Sequence, residues 1–314
     1  MNTGFQLYKK FSIGISFYKM RAEDWISILQ EYQSYINDIF FSPIESIAYQ
    51  TRRNVYNYET QTQEYLDKEL SKVLEAAKRL GIYRKIVLNV PALYNRPDEL
   101  VSIYLKYKNK YDVEYVTTFL QCARKIREID TFQSIVCSYN QGIKNHIELE
   151  RILDSDVFNT IVIGTNFFRD IVSFRLIHKY GKSIELLLNN GCMTDCESFC
   201  RLSNSYCKSN FEKHLSNEDI NALYAKCSMF PEEVHRNLLP LNIVDYFKLS
   251  TRPIHYSSMT DMLSSYIEGD SSKYISARIN NYNLYGRLAH FHQYYELLDY
   301  DLIIKNKEII WDRL

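Results

Sequence analysis

The sequence predicts a TIM-type (β/α)8 barrel with a C-terminal helical extension. Three features predict it: eight short apolar runs rich in branched residues, helical stretches between them, and no glycine-rich turn after the first run. Runs that are apolar on both faces and separated by helices belong to a parallel sheet covered by helices. Eight of them suit a closed barrel better than an open sheet. An open doubly wound sheet would carry a phosphate-binding glycine turn after its first strand, and GISFYKMRAEDW has none.

The first strand is expected over 11–18 (FSIGISFY) and a helix over about 22–35, with the second strand at 38–41. A long helical stretch, 63–80, stops at Gly81, which tolerates the positive φ of a helix end; KIVLNV (85–90) follows as the third strand and Pro91 closes it. The fourth strand is VEYVTTF (113–119), the fifth SIVCSY (134–139) and the sixth TIVIG (160–164). A helix over 168–180 stops at Gly181 before the seventh strand, 183–188, and IVDYFKL (243–249) supplies the eighth. Helices at 257–268, stopped by Gly269, and at 282–298 close or flank the barrel. Residues 1–256 are thus assigned to the barrel and 257–314 to C-terminal helices packed on it. The 314-residue chain leaves room for that extension beyond a barrel of about 250 residues.

Lysine plus arginine and aspartate plus glutamate both number 38, so no net field holds a polyanion or a membrane surface, although a local basic patch stays open. No apolar run is long enough to cross a membrane, and MNTGFQLYKKFSIG lacks the core and cleavage site of a secretory signal. The expected location is cytoplasmic. Thiols stay reduced there, so clustered cysteines point to metal binding or redox work before structural disulfides. The 27 tyrosines could stack on bases or sugars, but at helix and strand spacing they read first as amphipathic core and rim residues.

In such a barrel, chemistry sits at the carboxyl ends of the strands. Those ends would present Ser16, Tyr18, Glu45, Asn89, Tyr94, Thr117, Thr118, Tyr139, Asn140, Asn166, Arg169, Asp170, Arg252 and His255. Directly after the seventh strand, Cys192, Cys196, Cys200 and Cys207 follow one another with three, three and six intervening residues. Sulfurs four residues apart share a face if the segment coils helically, so it could offer three or four thiolates to one zinc ion or one iron-sulfur cluster. The alternative is ordinary thiols lining a reduced interior. Cys122 and Cys137 could each replace a member of the set, whereas Cys227, on a helix opened by Ser216 and Asp219, reads as a small buried hydrophobe.

No zinc-protease helix, nucleophile elbow, Walker loop or calcium loop is present. Asp170 and His255 are the acid–base candidates if they meet across the mouth, against a structural histidine. Lys248 and Arg252 alternate to one side of the eighth strand and could receive a carboxylate or phosphate. The competing reading for the pair is a buried salt bridge to Asp245 or another barrel carboxylate. Asn166 and Arg169 complete the substrate-binding candidates.

LLLNNGCMTDC after the seventh strand and VDYFKLSTRPIH at the eighth resemble peptidase family U-32, the collagenase-like group of barrel proteins. That family carries a Lys-Ile-x-Gly-Arg element on its last strand. Here Lys248, Leu249 and Arg252 fall in register, and Thr251 stands where glycine is expected. The resemblance implies a barrel and either a peptidase or an iron-sulfur protein, since members of the wider group hold a cluster on four cysteines and assist oxygen-independent hydroxylation of RNA bases or quinone precursors. Their cysteines are spread more widely than Cys192 to Cys207, so individual ligands do not carry over.

The leading expectation is therefore an iron-sulfur redox enzyme, of hydroxylation type, acting on an RNA, a peptide or a small metabolite. It would use no membrane, and an electron donor or partner subunit is open. Its alternatives are a hydrolase using metal-bound water, with zinc as the ion and Asp195 or Glu197 nearby, and a non-catalytic binding or scaffold protein.

Overall fold

The computed structural model describes residues 6–17, 19–43, 45, 62–88, 96–138, 143, 145–164, 167–188, 216–249, 255–272 and 299–313; for Ile220, Leu223, Tyr224, Cys227 and Tyr300 it describes the backbone. Eight parallel strands close into a barrel in sequence order: β1 (Phe11–Gly14), β2 (Ile36–Phe41), β3 (Tyr83–Val87), β4 (Glu114–Thr117), β5 (Ile135–Cys137), β6 (Thr160–Ile163), β7 (Ser183–Leu187) and β8 (Tyr246–Leu249). Pairing of β8 with β1, Lys248 opposite Ser12, completes the ring.

The helices are α1 (Ala22–Glu31), α2 (Gln63–Arg79), α3 (Pro97–Tyr111), α4 (Leu120–Ile129), α5 (His146–Asp154), α6 (Ile171–Lys179), α7 (Asn217–Cys227), α8 (Pro231–Glu233, running on into a π-helical turn Val234–Leu238), α9 (Tyr256–Glu268) and α10 (Tyr300–Asp312). Ser216 caps α7 in a reciprocal capping box with Asp219. Gly81, Gly181 and Gly269 all take left-handed backbone. At Gly269 a side chain is excluded twice, because an added Cβ would also lie 2.8 Å from the His235 ring. Helix α9 packs against α1, where Tyr32 Oη and Ser264 Oγ lie 3.0 Å apart, so it takes the eighth place in the helical ring.

Strand parity divides the core into two shells. Ile13, Ile39, Ile86, Tyr115, Ile135, Ile161, Ile184 and Phe247 point outward and are buried under helix residues such as Trp25, Leu70, Tyr104 and Phe174. The other parity points into the barrel. In an eight-stranded barrel each step in register descends the axis by about one residue, so residues of equal height come from alternate strands. The registers therefore stack four layers from the amino end: Asp38, Glu114, Thr160 and Tyr246; then Ser12, Lys85, Val136 and Glu185; then Phe40, Val116, Val162 and Lys248; then Gly14, Val87, Leu187 and, just past β5, Ser138. Val87, Val116, Val136, Val162 and Leu187 form a separate apolar cluster with Phe40 inside the barrel.

Candidate functional site

Four charged side chains meet inside the barrel. Lys85 on β3 and Glu185 on β7 start from opposite walls and join at 2.5 Å; Lys85 also reaches Asp38 at 2.9 Å, and Lys248 donates to the second oxygen of Glu185 at 2.5 Å. Ser12 Oγ donates to Asp38 at 2.5 Å and Asn37 Nδ2 donates to its other oxygen at 2.9 Å. Two ammonium groups and two carboxylates balance one another. Lys248 is thus held by a barrel carboxylate, Glu185, while Asp245 accepts from the Ile184 N–H at the barrel's amino end.

Electrostatics separate the two lysines. Burial alone would pull the Lys85 ammonium down, but Asp38, Glu185 and Glu114 around it outweigh that and raise it. For Lys248, burial wins: desolvation, helped by the Lys85 cation, exceeds the attraction of Glu185 and lowers its pKa. Burial likewise opposes the Glu185 charge, yet Lys248 and Lys85 hold the carboxyl at about 2. Burial lifts Glu114, despite Lys85 nearby. The Lys248 side chain is 11% exposed, that of Lys85 3%, and those of Glu185 and Asp38 0%.

The sequence pointed to Lys248 but missed Asp38, Lys85 and Glu185. The signal was present: each is a charge within or at the edge of a short run rich in apolar residues, INDIFF, RKIVL and SIELLL. A charge placed there faces the barrel axis or breaks the strand.

On the rim, Asp170 caps α6, accepting from Ser173 N at 3.0 Å and Ser173 Oγ at 2.7 Å, and its Oδ2 lies 2.9 Å from His146 Nε2. His146 opens α5 and stacks edge-on against Phe167. The partner of Asp170 is therefore His146, from the neighbouring loop; His255, expected to meet it, stands exposed at the amino end of α9. Arg169, expected to bind substrate, is buried with its guanidinium already engaged. It donates to Glu233 at 2.5 Å and to the carbonyls of Ala225, Lys226 and Ser228 at the end of α7. Glu233 also takes Lys307 at 3.1 Å and the indole N–H of Trp311 at 2.5 Å, which anchors α10 to the same node.

Other expected mouth residues have partners within the fold or are buried. The Ser16 carbonyl accepts from the Trp25 indole at 2.8 Å, Thr117 Oγ1 accepts from Phe119 N at 3.1 Å, and Glu45 accepts from Lys106 at 2.6 Å and Tyr107 at 3.0 Å. Thr118 is buried. Tyr18, Asn89, Tyr94, Tyr139, Asn140, Asn166, Asp195, Glu197, Arg252 and the four clustered cysteines lie outside the described residues, as does the helix expected at 282–298. Cys122 on α4 and Cys137 on β5 are free and buried in the shell between strands and helices. Burial pushes the Cys122 thiol up to about 11 and raises Cys137 too, so both stay protonated and make poor ligands.

No family model matches the chain, and no curated protein is similar to it in sequence. Solved barrels are similar in fold. The U32 peptidase Mk0906 shares 9% identity over 77% of this chain and 92% of its own, with a TM-score of 0.45. Orotidine 5'-monophosphate decarboxylase from Methanocaldococcus jannaschii shares 9% over 86% and 98%, with a TM-score of 0.43. N-acetylneuraminate lyase from Mycoplasma synoviae shares 12% over 98% and 99%, with a TM-score of 0.39. A fold by itself does not fix a chemistry, so function is argued from this chain's own residues. Among the described residues no group of three or more histidine, cysteine, aspartate or glutamate side chains could hold a metal ion, and no helix is long and apolar enough to cross a membrane.

Proposed function

We propose that this chain is a barrel enzyme working at the carboxyl-terminal mouth, with Cys192, Cys196, Cys200 and Cys207 holding an iron-sulfur cluster for a redox modification, of hydroxylation type, of an RNA, a peptide or a small metabolite. One observation carries the reading. The segment bearing these thiols connects the carboxyl end of β7 to Ser216, so four soft donors enter the chain at the end of the barrel where such folds do chemistry. Cys122 and Cys137 do not compete for the metal, since they are protonated and packed under helices. The resemblance of LLLNNGCMTDC and VDYFKLSTRPIH to family U-32 points the same way.

Four thiolates suit iron-sulfur or zinc, and a cluster bound there supplies one-electron transfer. The remaining work falls to the chain's own side chains. Arg252 and Asn166 would bind and orient the substrate, and His146, oriented by Asp170, would move a proton at the rim. Anaerobic purification followed by metal analysis and an absorption spectrum tests the reading. The expected protein is brown, carries several irons per chain, and loses its colour in Cys192→Ala and Cys196→Ala. Colourless, iron-free protein overturns it.

The His146–Asp170 pair favours a second reading, a hydrolase in which three of these thiols would hold zinc, leaving a position that would supply activated water, and His146 would accept a proton at the rim. Stoichiometric zinc without visible absorption would select it.

A further inference from the structure

We infer that Lys248 is a nucleophilic amine at the floor of the mouth, which condenses with the carbonyl group of a small aldehyde or ketone to give a protonated imine. Three observations carry this. Lys248 is the outermost of the four interior charges, 11% exposed where Lys85 is 3% exposed. In the layer above it, beside Val87 and Leu187, stand Gly14, which has no side chain, and just past β5 Ser138, so two of its four positions carry little or no side-chain bulk. Its Nζ lies 4.1 Å from the centre of the partly exposed Phe40 ring and, among the described residues, pairs with one carboxylate, Glu185, whereas Lys85 is clamped between two.

A charge cluster in a barrel core has no ready explanation in stability, because apolar residues of similar volume generally serve as well or better. It does explain an imine. The amine attacks the carbonyl carbon, a C–N bond forms, and the carbonyl oxygen leaves as water after taking two protons. One of these comes from the ammonium on its way to the free amine and one from the carbinolamine nitrogen. The nitrogen keeps its third hydrogen, so the species left is the protonated imine with a single positive charge at Nζ, and the site needs no oxidant or reductant. Ammonium and iminium are isocharged, so Glu185 neutralises the product as it neutralises the resting lysine. Desolvation beside a second cation is a recognised way to free a lysine amine for such chemistry, and burial with Lys85 lowers the Lys248 pKa accordingly.

The full chain is incubated at neutral pH with acetaldehyde and cyanoborohydride, and ethylated lysines are located by peptide mass spectrometry over time. Lys248 is expected to react severalfold faster than the exposed Lys68 and Lys78; Lys85 should stay unmodified, and the label should vanish in Lys248→Arg. Labelling of Lys248 no faster than Lys68 overturns the inference, and this comparison is made within the wild-type protein, so it stands even if Lys248→Arg fails to fold. Iron content is read on the same preparation, so failure of the cluster and failure of the amine give different results.

Discussion

At the scale of single residues, Glu185 decides the interior. Both of its oxygens are bonded to ammonium groups and it has no exposure, so among the described residues its removal leaves Lys85 with Asp38 alone and Lys248 with no carboxylate. Glu185→Ala should destabilise the fold by about 3–5 kcal/mol, measured by urea unfolding, because a buried charge loses its partner. Replacing Asp38, Lys85, Glu185 and Lys248 together by apolar residues of similar volume should cost far less, or nothing. The contrast would show that the cluster is kept for something other than stability. At this scale the sequence was half legible. Lys248 was singled out, and its expected salt bridge to a barrel carboxylate is present, but the partner sits on β7, and a contact between strands is invisible until register is known. His146 was missed for a related reason: it meets Asp170 only because the loops after β5 and β6 are neighbours.

At the scale of elements, every strand expected from the sequence is a strand, and most disagreement lies at the ends. The first was expected to reach residue 18 and stops at Gly14. Ile15 and Phe17 remain buried after the ladder ends, since the chain there lies under Trp25, whose indole holds the Ser16 carbonyl. Apolar patterning records burial, whereas a strand ends where its hydrogen bonds end. The third strand begins earlier than expected, at Tyr83, because Arg84 is absorbed on the outer face by the carbonyls of Ile82, Tyr111 and Asp112. Arg169 binds three further elements, α7, α8 and α10, through Glu233 and the last carbonyls of α7. Arg169→Met should therefore loosen these elements locally. Hydrogen exchange should speed up in 217–227 and 300–312 while β1 to β4 keep their protection; uniform acceleration across the barrel would refute a local anchor.

At the scale of the whole molecule, the interior charges predict how the barrel meets acid. Glu185 has an ordinary carboxyl pKa of 4.5 when unfolded and about 2 when folded, with Lys248 and Lys85 outweighing its burial. A depressed folded pKa means that the unfolded chain binds the proton more readily, so stability is full above about 4.5 and drains away as pH falls toward about 2. On its own this group contributes on the order of 3 kcal/mol at neutral pH. Glu233 is also held down, its burial outweighed by Lys307 and Arg169, and acts in the same direction from outside the barrel. Glu114 acts oppositely: burial raises it, so the folded state takes its proton first and gains some stability as pH drops through that raised value. Unfolding free energy measured by urea at successive pH values should therefore hold nearly level on first acidification and then fall steeply below about 4.5. In Glu114→Gln the early compensation should disappear, and in the apolar quadruple replacement of Asp38, Lys85, Glu185 and Lys248 the steep limb should shrink to the part that Glu233 supplies. A steep limb of unchanged size in that variant would mean that acid attacks the surface of this barrel and not its charged interior.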